Sequence, residues 1–298
     1  MCVECGCGRP GPTKIDGKPA DRVRSPLTFS PAGEHAHEHK HEGGLLHSHP
    51  HSHDHEHPHD PDHPHDHDHG GEPVPTRPGR EVEVHQSIFA ANDRLAERNR
   101  GFFGARNWLV LNVVSSPGSG KTTLVQKTIE RLKESVRVGV IVGDLETDND
   151  ARRLRATGAP VVQITTGTLC HLDAEMVARA VGGLDSKDLD VLVIENVGNL
   201  VCPSSFDLGE DLRVALLSVT EGEDKPLKYP PLFHAAHAVL VTKTDLAQAC
   251  EFDRDAALAN IRQVSPAARI FEVSAKTGEG MEAWCAFLGE CLAEKARS

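Results

Sequence analysis

Residues Ser115-Ser116-Pro117-Gly118-Ser119-Gly120-Lys121-Thr122-Thr123 have the types and spacing needed to hold nucleotide phosphates. Small residues let backbone N–H groups close around phosphate oxygens, and a helix starting there adds positive potential. Lys121 would neutralise the β- and γ-phosphates, and the Thr122 hydroxyl would ligate Mg2+. Gly118, Ser119, Gly120 and Thr123 complete the loop. The first glycine of the usual pattern is replaced by Ser115, a small residue that can still turn.

Further groups suit the same nucleotide. Asp245 would accept hydrogen bonds from guanine N1–H and N2–H2, which adenine does not offer at that edge. The Lys243 stem would pack over the base, and the Ala275 N–H would meet guanine O6, within Ser274-Ala275-Lys276. These residues resemble the Asn-Lys-x-Asp and Ser-Ala-Lys signatures of GTP-binding proteins. Thr242 stands where the asparagine would be, so a side-chain amide that braces the loop is expected to be lost. Asp144, in Gly143-Asp144-Leu145-Glu146-Thr147-Asp148, is placed for the Mg2+ shell or the attacking water, or as a helix N-cap. Glu195 takes the Walker-B position or is a structural acid.

Three sets of residues suit soft or borderline metals. Cys2, Cys5 and Cys7 lie within six residues, so three thiolates can reach one Ni2+, Zn2+ or Cu+ ion; the alternatives are a redox-active or incidental cluster. Fifteen of the nineteen histidines fall in one tract: His35, His37, His39, His41, His47, His49, His51, His53, His55, His57, His59, His63, His65, His67 and His69. Their alternation with Asp, Glu, Pro and Ser suits loose storage of several ions, or else a solvated linker. Cys170 and His171 follow one strand and Cys202 follows another, so three ligands can converge at the sheet edge and leave a position open on Zn2+ or Ni2+. Neighbouring Cys and His also occur by chance. Cys250, Cys285 and Cys291 read as buried thiols on helices.

These groups need a scaffold that gathers them. The apolar run Trp108 to Val114 reads as a buried strand and Leu124–Leu132 as an amphipathic helix, which makes the first loop a P-loop. Further strands are expected at 137–142, 161–164, 191–196, 214–219, 239–242 and 270–274, alternating with helices. The fold class is therefore α/β: a P-loop NTPase fold, its mainly parallel sheet flanked by helices, preceded by a disordered His-rich N-terminal region. In such sheets, ligand groups collect at the carboxyl ends of the strands, where the polar clusters fall.

Composition divides the chain of 298 residues. Residues 1–10 hold the cysteine motif. Residues 11–80 are poor in large apolar groups and rich in Gly, Pro and His, so they are expected to be disordered, ending in a Gly/Pro linker from 70 to 80. Residues 81–298 suffice for one core. A helix near its start would present Val84, Ile88, Ala91 and Leu95 on one face and carry no chemistry. The formal charge is -12, of which Glu34 to His69 contribute -8. No basic stripe is present, which argues against nucleic acid and anionic membrane as partners. With no leader or spanning segment read, a cytoplasmic setting is expected, and thiols there serve metals or cores rather than disulfides.

The combination resembles the HypB family of hydrogenase nickel-incorporation GTPases, in the SIMIBI class of P-loop proteins. The likeness rests on Cys2-x-x-Cys5-Gly6-Cys7, the P-loop, residues 143–150, Glu195-Asn196-Val197-Gly198-Asn199-Leu200-Val201-Cys202-Pro203, and residues 218–230. It implies a nickel metallochaperone that hydrolyses GTP with Mg2+. It implies GTP-promoted homodimerisation and work with a HypA-type nickel chaperone on the large subunit of [NiFe] hydrogenase. It also implies a tight nickel site at Cys2, Cys5 and Cys7 and a weaker nickel or zinc site at Cys170, His171 and Cys202. A urease-type nickel GTPase lacks the cysteine start and the Glu195-to-Pro203 run. A nickel store with a vestigial GTPase would not need Lys121, Thr122, Asp144, Glu195 and Asp245 intact.

Overall fold

The structure is a computed structural model that describes residues 13–23, 25–26, 36–40, 46–50, 78–184 and 188–297. Cys2, Cys5 and Cys7 lie outside the described residues, as do His35, His41 and the nine histidines from His51 to His69. The strands are β1 (Lys14–Ile15), β2 (Lys18–Pro19), β3 (Ala36–Lys40), β4 (Leu46–Pro50), β5 (Leu109–Val114), β6 (Val138–Asp144), β7 (Val161–Thr165), β8 (Val191–Glu195), β9 (Leu212–Ser218), β10 (Ala238–Thr242) and β11 (Arg269–Val273). The helices are α1 (Pro78–Ala105), α2 (Lys121–Leu132), α3 (Asn149–Arg155), α4 (Ala174–Val181), α5 (Lys225–Lys228), α6 (Pro230–His234), α7 (Arg254–Val264) and α8 (Met281–Lys295).

The main sheet runs β11-β10-β9-β5-β8-β6-β7-β1-β2, and every pair from β11 to β7 is parallel. β5 and β8 are buried along their whole length and are apolar except for Asn112 in β5 and the terminal Glu195 of β8. Helices α2, α3 and α8 cover one face through Leu124, Ile129, Leu154, Trp284 and Phe287. On the other face, α1 and α4 contribute Phe103, Met176 and Val177, and α6 and α7 contribute Leu232, Phe233 and Ile261. This covering of both faces leaves the carboxyl edge of the strands as the place for polar chemistry.

Three features differ from the sequence expectation. Residues 14–22 were expected within a disordered tract, yet β1 pairs antiparallel with β7 (Lys14↔Thr165, Ile15↔Ile164). Ile15 is 2% exposed in the core beside β7, and Asp16 pairs with Arg155 at 2.7 Å. A strand of two residues carries no periodicity; the β7 edge and one buried isoleucine stabilise it. Within the histidine tract, β3 and β4 pair antiparallel with His37 opposite His49 and His39 opposite His47, in a compact unit of its own. The linker is also shorter than expected, because α1 begins at Pro78, a position where proline is preset for a helix.

Candidate nucleotide and metal site

The P-loop joins the end of β5 to the start of α2. Gly118 and Gly120 have φ of 73° and 97°, which glycine adopts without strain. Ser115 is fully buried, and its Oγ accepts a hydrogen bond from Lys121 Nζ at 2.9 Å. The serine at the first glycine position therefore holds the loop's lysine. Burial pushes the Lys121 pKa down, and Glu195, Asp150, Glu221 and Asp144 oppose that. Thr122 Oγ1 donates to Glu195 Oε1 at 2.6 Å, while Glu195 Oε2 is buried without a hydrogen-bond partner. Burial pushes the Glu195 carboxyl up to about 7, against the lowering effects of Thr122 and Lys121.

Asp144 Oδ1 accepts from the Glu146 and Thr147 amides at 3.0 and 2.8 Å, closing the turn before α3. The N-cap position of α3 itself is Asp148, so the N-cap alternative for Asp144 falls away. Lys121, Thr122, Asp144 and Glu195 line one cleft of about 680 Å³ with Asp150, Arg153 and Gly198. A buried carboxylate oxygen without a partner, beside a hydroxyl and a second carboxylate, suits a hard divalent cation.

A second cavity of about 230 Å³ adjoins the loop, lined by Ser119, Gly120, Thr123, Thr242, Lys243, Asp245, Ala275 and Lys276. Ser274 lies beneath it, fully buried, and donates from Oγ to Asp245 Oδ1 at 2.7 Å. Lys243 adopts φ of 60° and donates from Nζ to Gly118 O at 2.6 Å. The expected loss of a brace at Thr242 does not occur. Its Oγ1 donates to Ser119 O at 2.8 Å, so a hydroxyl ties the base loop to the P-loop where an amide was expected.

The candidate metal residues converge. Ligand atoms of Cys170, His171 and Cys202 all lie within 4.8 Å of one another, and the two sulfurs are 3.0 Å apart. His171 stacks on Phe206 with ring centroids 4.0 Å apart, and its buried Nδ1 has no hydrogen-bond partner. Burial lowers the His171 pKa to about 4, which keeps the imidazole neutral and able to ligate at neutral pH. The expectation of three buried thiols elsewhere holds only in part: Cys285 and Cys291 are half-buried on α8, whereas Cys250 is exposed in a turn.

Metal and nucleotide loops are joined through backbone and buried side chains. The Thr166 and Gly167 amides donate to Asp144 O and Leu145 O, each at 2.9 Å. Asn196, directly after Glu195, accepts at Oδ1 from the amides of Leu172 and Val197 at 3.2 and 2.9 Å. Its Nδ2 donates to Asn112 Oδ1, and Asn112 donates to Glu210 Oε1. Glu210 takes two bonds from Arg213, whose other donors reach Ser204 O and Phe206 O beyond Cys202. Gly143 leaves room for Leu172, which would lie 2.9 Å from a Cβ there, so the metal loop packs directly on β6.

The chain has known relatives. The family model described as CobW/HypB/UreG, nucleotide-binding domain, matches residues 109–272. The hydrogenase maturation factor HypB of Escherichia coli is 46% identical over 306 residues, covering 97% of this chain and 98% of its own. The chain belongs to the HypB family. Among solved structures, HypB of Archaeoglobus fulgidus is 41% identical at TM-score 0.65, covering 68% of this chain and 99% of its own. HypB of Helicobacter pylori, crystallised in complex with nickel, is likewise 41% identical at TM-score 0.65, covering 68% and 96%.

Several residues lining the cleft were not singled out from sequence. Arg153 brings a cation to the cleft and donates to Thr123 Oγ1 at 3.2 Å. Gly198 lets β8's following loop touch the P-loop, since a Cβ there would lie 2.9 Å from Pro117 Cα. The acid run after Asp144 and the Val-Gly after Asn196 were the available signals. Of the expected face of α1, the side chains of Val84 and Ile88 lie outside the described ones and Ala91 and Leu95 are only partly buried, whereas Asn92, Ala96, Asn99 and Phe103 are buried.

Proposed function

We propose that the chain is a GTP-hydrolysing nickel metallochaperone that delivers nickel during maturation of the [NiFe] hydrogenase large subunit. The observation that carries the reading is the joining of two chemistries: Asn196 bonds the loop of Cys170 and His171 while directly following Glu195. The names of its HypB relatives and the nickel complex of one of them support the cargo.

Thr122, Asp144 and Glu195 would hold Mg2+, which when bound neutralises charge on the phosphates. Lys121 would exchange its bond to Ser115 for phosphate oxygens, and α2 would direct its N-terminal amides at the same groups. Arg153 adds a second cation at the cleft. Asp245, held by Ser274, would read guanine, with Lys243 against the base and the Ala275 amide at O6. The alternative role for Asp144 would be to orient the attacking water. Nickel or zinc is cargo at Cys170, His171 and Cys202, with Cys2, Cys5 and Cys7 as a tight nickel site and the histidine tract as a loose store.

Leu145 and Val201 are left 43% and 61% exposed on the loops after β6 and β8. These apolar side chains at the carboxyl edge fit a GTP-promoted homodimer contact beside both sites. A HypA-type chaperone and the hydrogenase large subunit are the further partners. Among the described residues no helix is long and apolar enough to cross a membrane. The reading is of a cytoplasmic protein. The test is GTP turnover together with nickel stoichiometry on the full-length chain. Turnover that Lys121→Ala abolishes, with nickel retained by the variant, supports it; nickel binding without turnover in the parent leaves only a store.

A further inference from the structure

Helix α1 carries two asparagines two turns apart, and each bonds both the start of α4, which follows the Cys170–His171 loop, and the 207–208 segment, which follows Cys202. Asn92 Oδ1 accepts from the Ala174 amide at 2.9 Å, and its Nδ2 donates to Asp207 O at 2.8 Å. Asn99 Nδ2 donates to both Ala174 O and Leu208 O at 2.9 Å. Ala174 lies three residues after His171, and Asp207 and Leu208 lie five and six after Cys202. The two asparagines therefore cross-brace the loops that carry the metal ligands.

Three further contacts lie on the same helix face. Phe89 packs on Phe206 at 5.4 Å between centroids, and Phe206 in turn stacks on His171. Arg100 pairs with Asp207 at 2.7 Å. Gly209, at φ of 87°, sits against the α1 backbone: a Cβ would lie 2.6 Å from Ala96 O and 2.9 Å from Arg100 N. A buried asparagine is costly unless satisfied. Asn92 uses both its side-chain groups, and Asn99 uses both donors while its Oδ1 has no hydrogen-bond partner. An apolar helix face would remove the four hydrogen bonds to Ala174 N, Ala174 O, Asp207 O and Leu208 O.

We propose that Asn92 and Asn99 are positioning residues of the internal metal centre. They set the separation of the two ligand loops and so its affinity and geometry for a soft or borderline divalent cation. The proposal rests on Cys170, His171 and Cys202 binding metal. It makes α1, which the sequence pattern presents as a plain packing helix, a wall of that centre.

The test uses the full-length chain with Cys2, Cys5 and Cys7 changed to Ser, titrated with Co2+. Thiolate-to-cobalt charge transfer reports only sulfur ligation, so the histidine tract is silent. Absence of the band in this parent chain would contradict the metal reading itself. With the band present, Asn99→Asp keeps the side-chain size but removes both donors, and Asn92→Ala removes the other brace. Each should weaken the cobalt site by about 10- to 100-fold and shift its thiolate band, as for other groups that orient metal ligands. Guanine nucleotide affinity should stay within about twofold, reporting an intact sheet. Asn260→Ala, which removes a brace to Glu223 O elsewhere, should leave the cobalt titration unchanged. Hydrogen exchange on the parent chain supplies an arm free of variants: Zn2+ should slow exchange in residues 89–103 as well as in the ligand loops. Unchanged cobalt affinity and band in the folded variants, or no protection of α1 by Zn2+, would overturn the proposal.

Discussion

Replacing Glu195 with Gln tests the electrostatics of the cleft. The carboxyl is 3% exposed, and burial raises its pKa from 4.5 to about 7. Between these values the folded state holds a proton that the unfolded state releases, so stability falls as pH rises through the window. At about 1.4 kcal/mol per pH unit, the full span costs the apo-protein about 3 kcal/mol above pH 7. Gln cannot ionise and still accepts from Thr122 Oγ1. Its stability should match that of the parent near pH 4.5 and exceed it by about 3 kcal/mol at pH 8. For a folded region of this size, that is a rise in Tm of about 6 to 12 °C. The His171 contribution runs the other way with pH but is common to both chains, so it cancels. The assay is urea unfolding of the two apo-proteins from pH 4.5 to 8.5, repeated with Mg2+ and GTP. With the nucleotide and Mg2+ the order should reverse, because the cation stabilises the ionised carboxylate only in the parent. A pH-independent difference between the chains, or a less stable Gln variant at pH 8, would refute the reasoning.

Other outcomes follow from the same geometry. Lys121→Ala should lower GTP turnover by at least about 10²-fold while metal binding persists, and wild-type turnover would remove the P-loop assignment. Asp245→Asn puts a donor amide before the guanine donors, so competition binding should show weaker GTP and stronger xanthosine triphosphate; undiminished GTP preference would rule this role out. His171, lowered to about 4, keeps a neutral imidazole across pH 5 to 7, so loss of zinc from the internal site on acidification should not show an imidazole step near 6.5. Such a step in a zinc titration would mean that the ring is not buried as described. Deleting His35 to His69 should lower the number of nickel ions bound per chain in equilibrium dialysis and leave GTP turnover nearly unchanged; an equal ion count would end the storage reading.

The sheet was legible because its strands are buried on both sides. Predominantly apolar runs, such as Val191–Ile194 in β8, mark the parallel strands, and the expected bounds lie within two residues. The polar clusters were legible through one rule, that ligand groups sit at carboxyl ends of such strands. Three features were not. The β1 strap depends on a partner edge that no local pattern announces. The buried face of α1 is written in Asn92 and Asn99, which a periodicity of apolar residues passes over, because their stabilisation comes from backbone groups far along the chain. Thr242 was read by its side-chain type, whereas its effect comes from reach: a hydroxyl suffices because the Ser119 carbonyl is 2.8 Å away.

A metallochaperone whose nucleotide cleft is joined to the Cys170, His171 and Cys202 site is expected to alter its hold on the ion with nucleotide state. Truncation near residue 80 would remove the strap and the first turn of α1, so the full-length chain with Cys2, Cys5 and Cys7 changed to Ser is the right material. Nickel and zinc affinities of its thiolate site are measured with GDP and with a non-hydrolysable GTP analogue, each with Mg2+. Through Asn196 and the Thr166–Asp144 bond, the two states should differ by about fivefold or more. By reciprocity, bound metal should change the relative affinity for the two nucleotides by the same factor. Equal metal affinities in both nucleotide states would contradict the account.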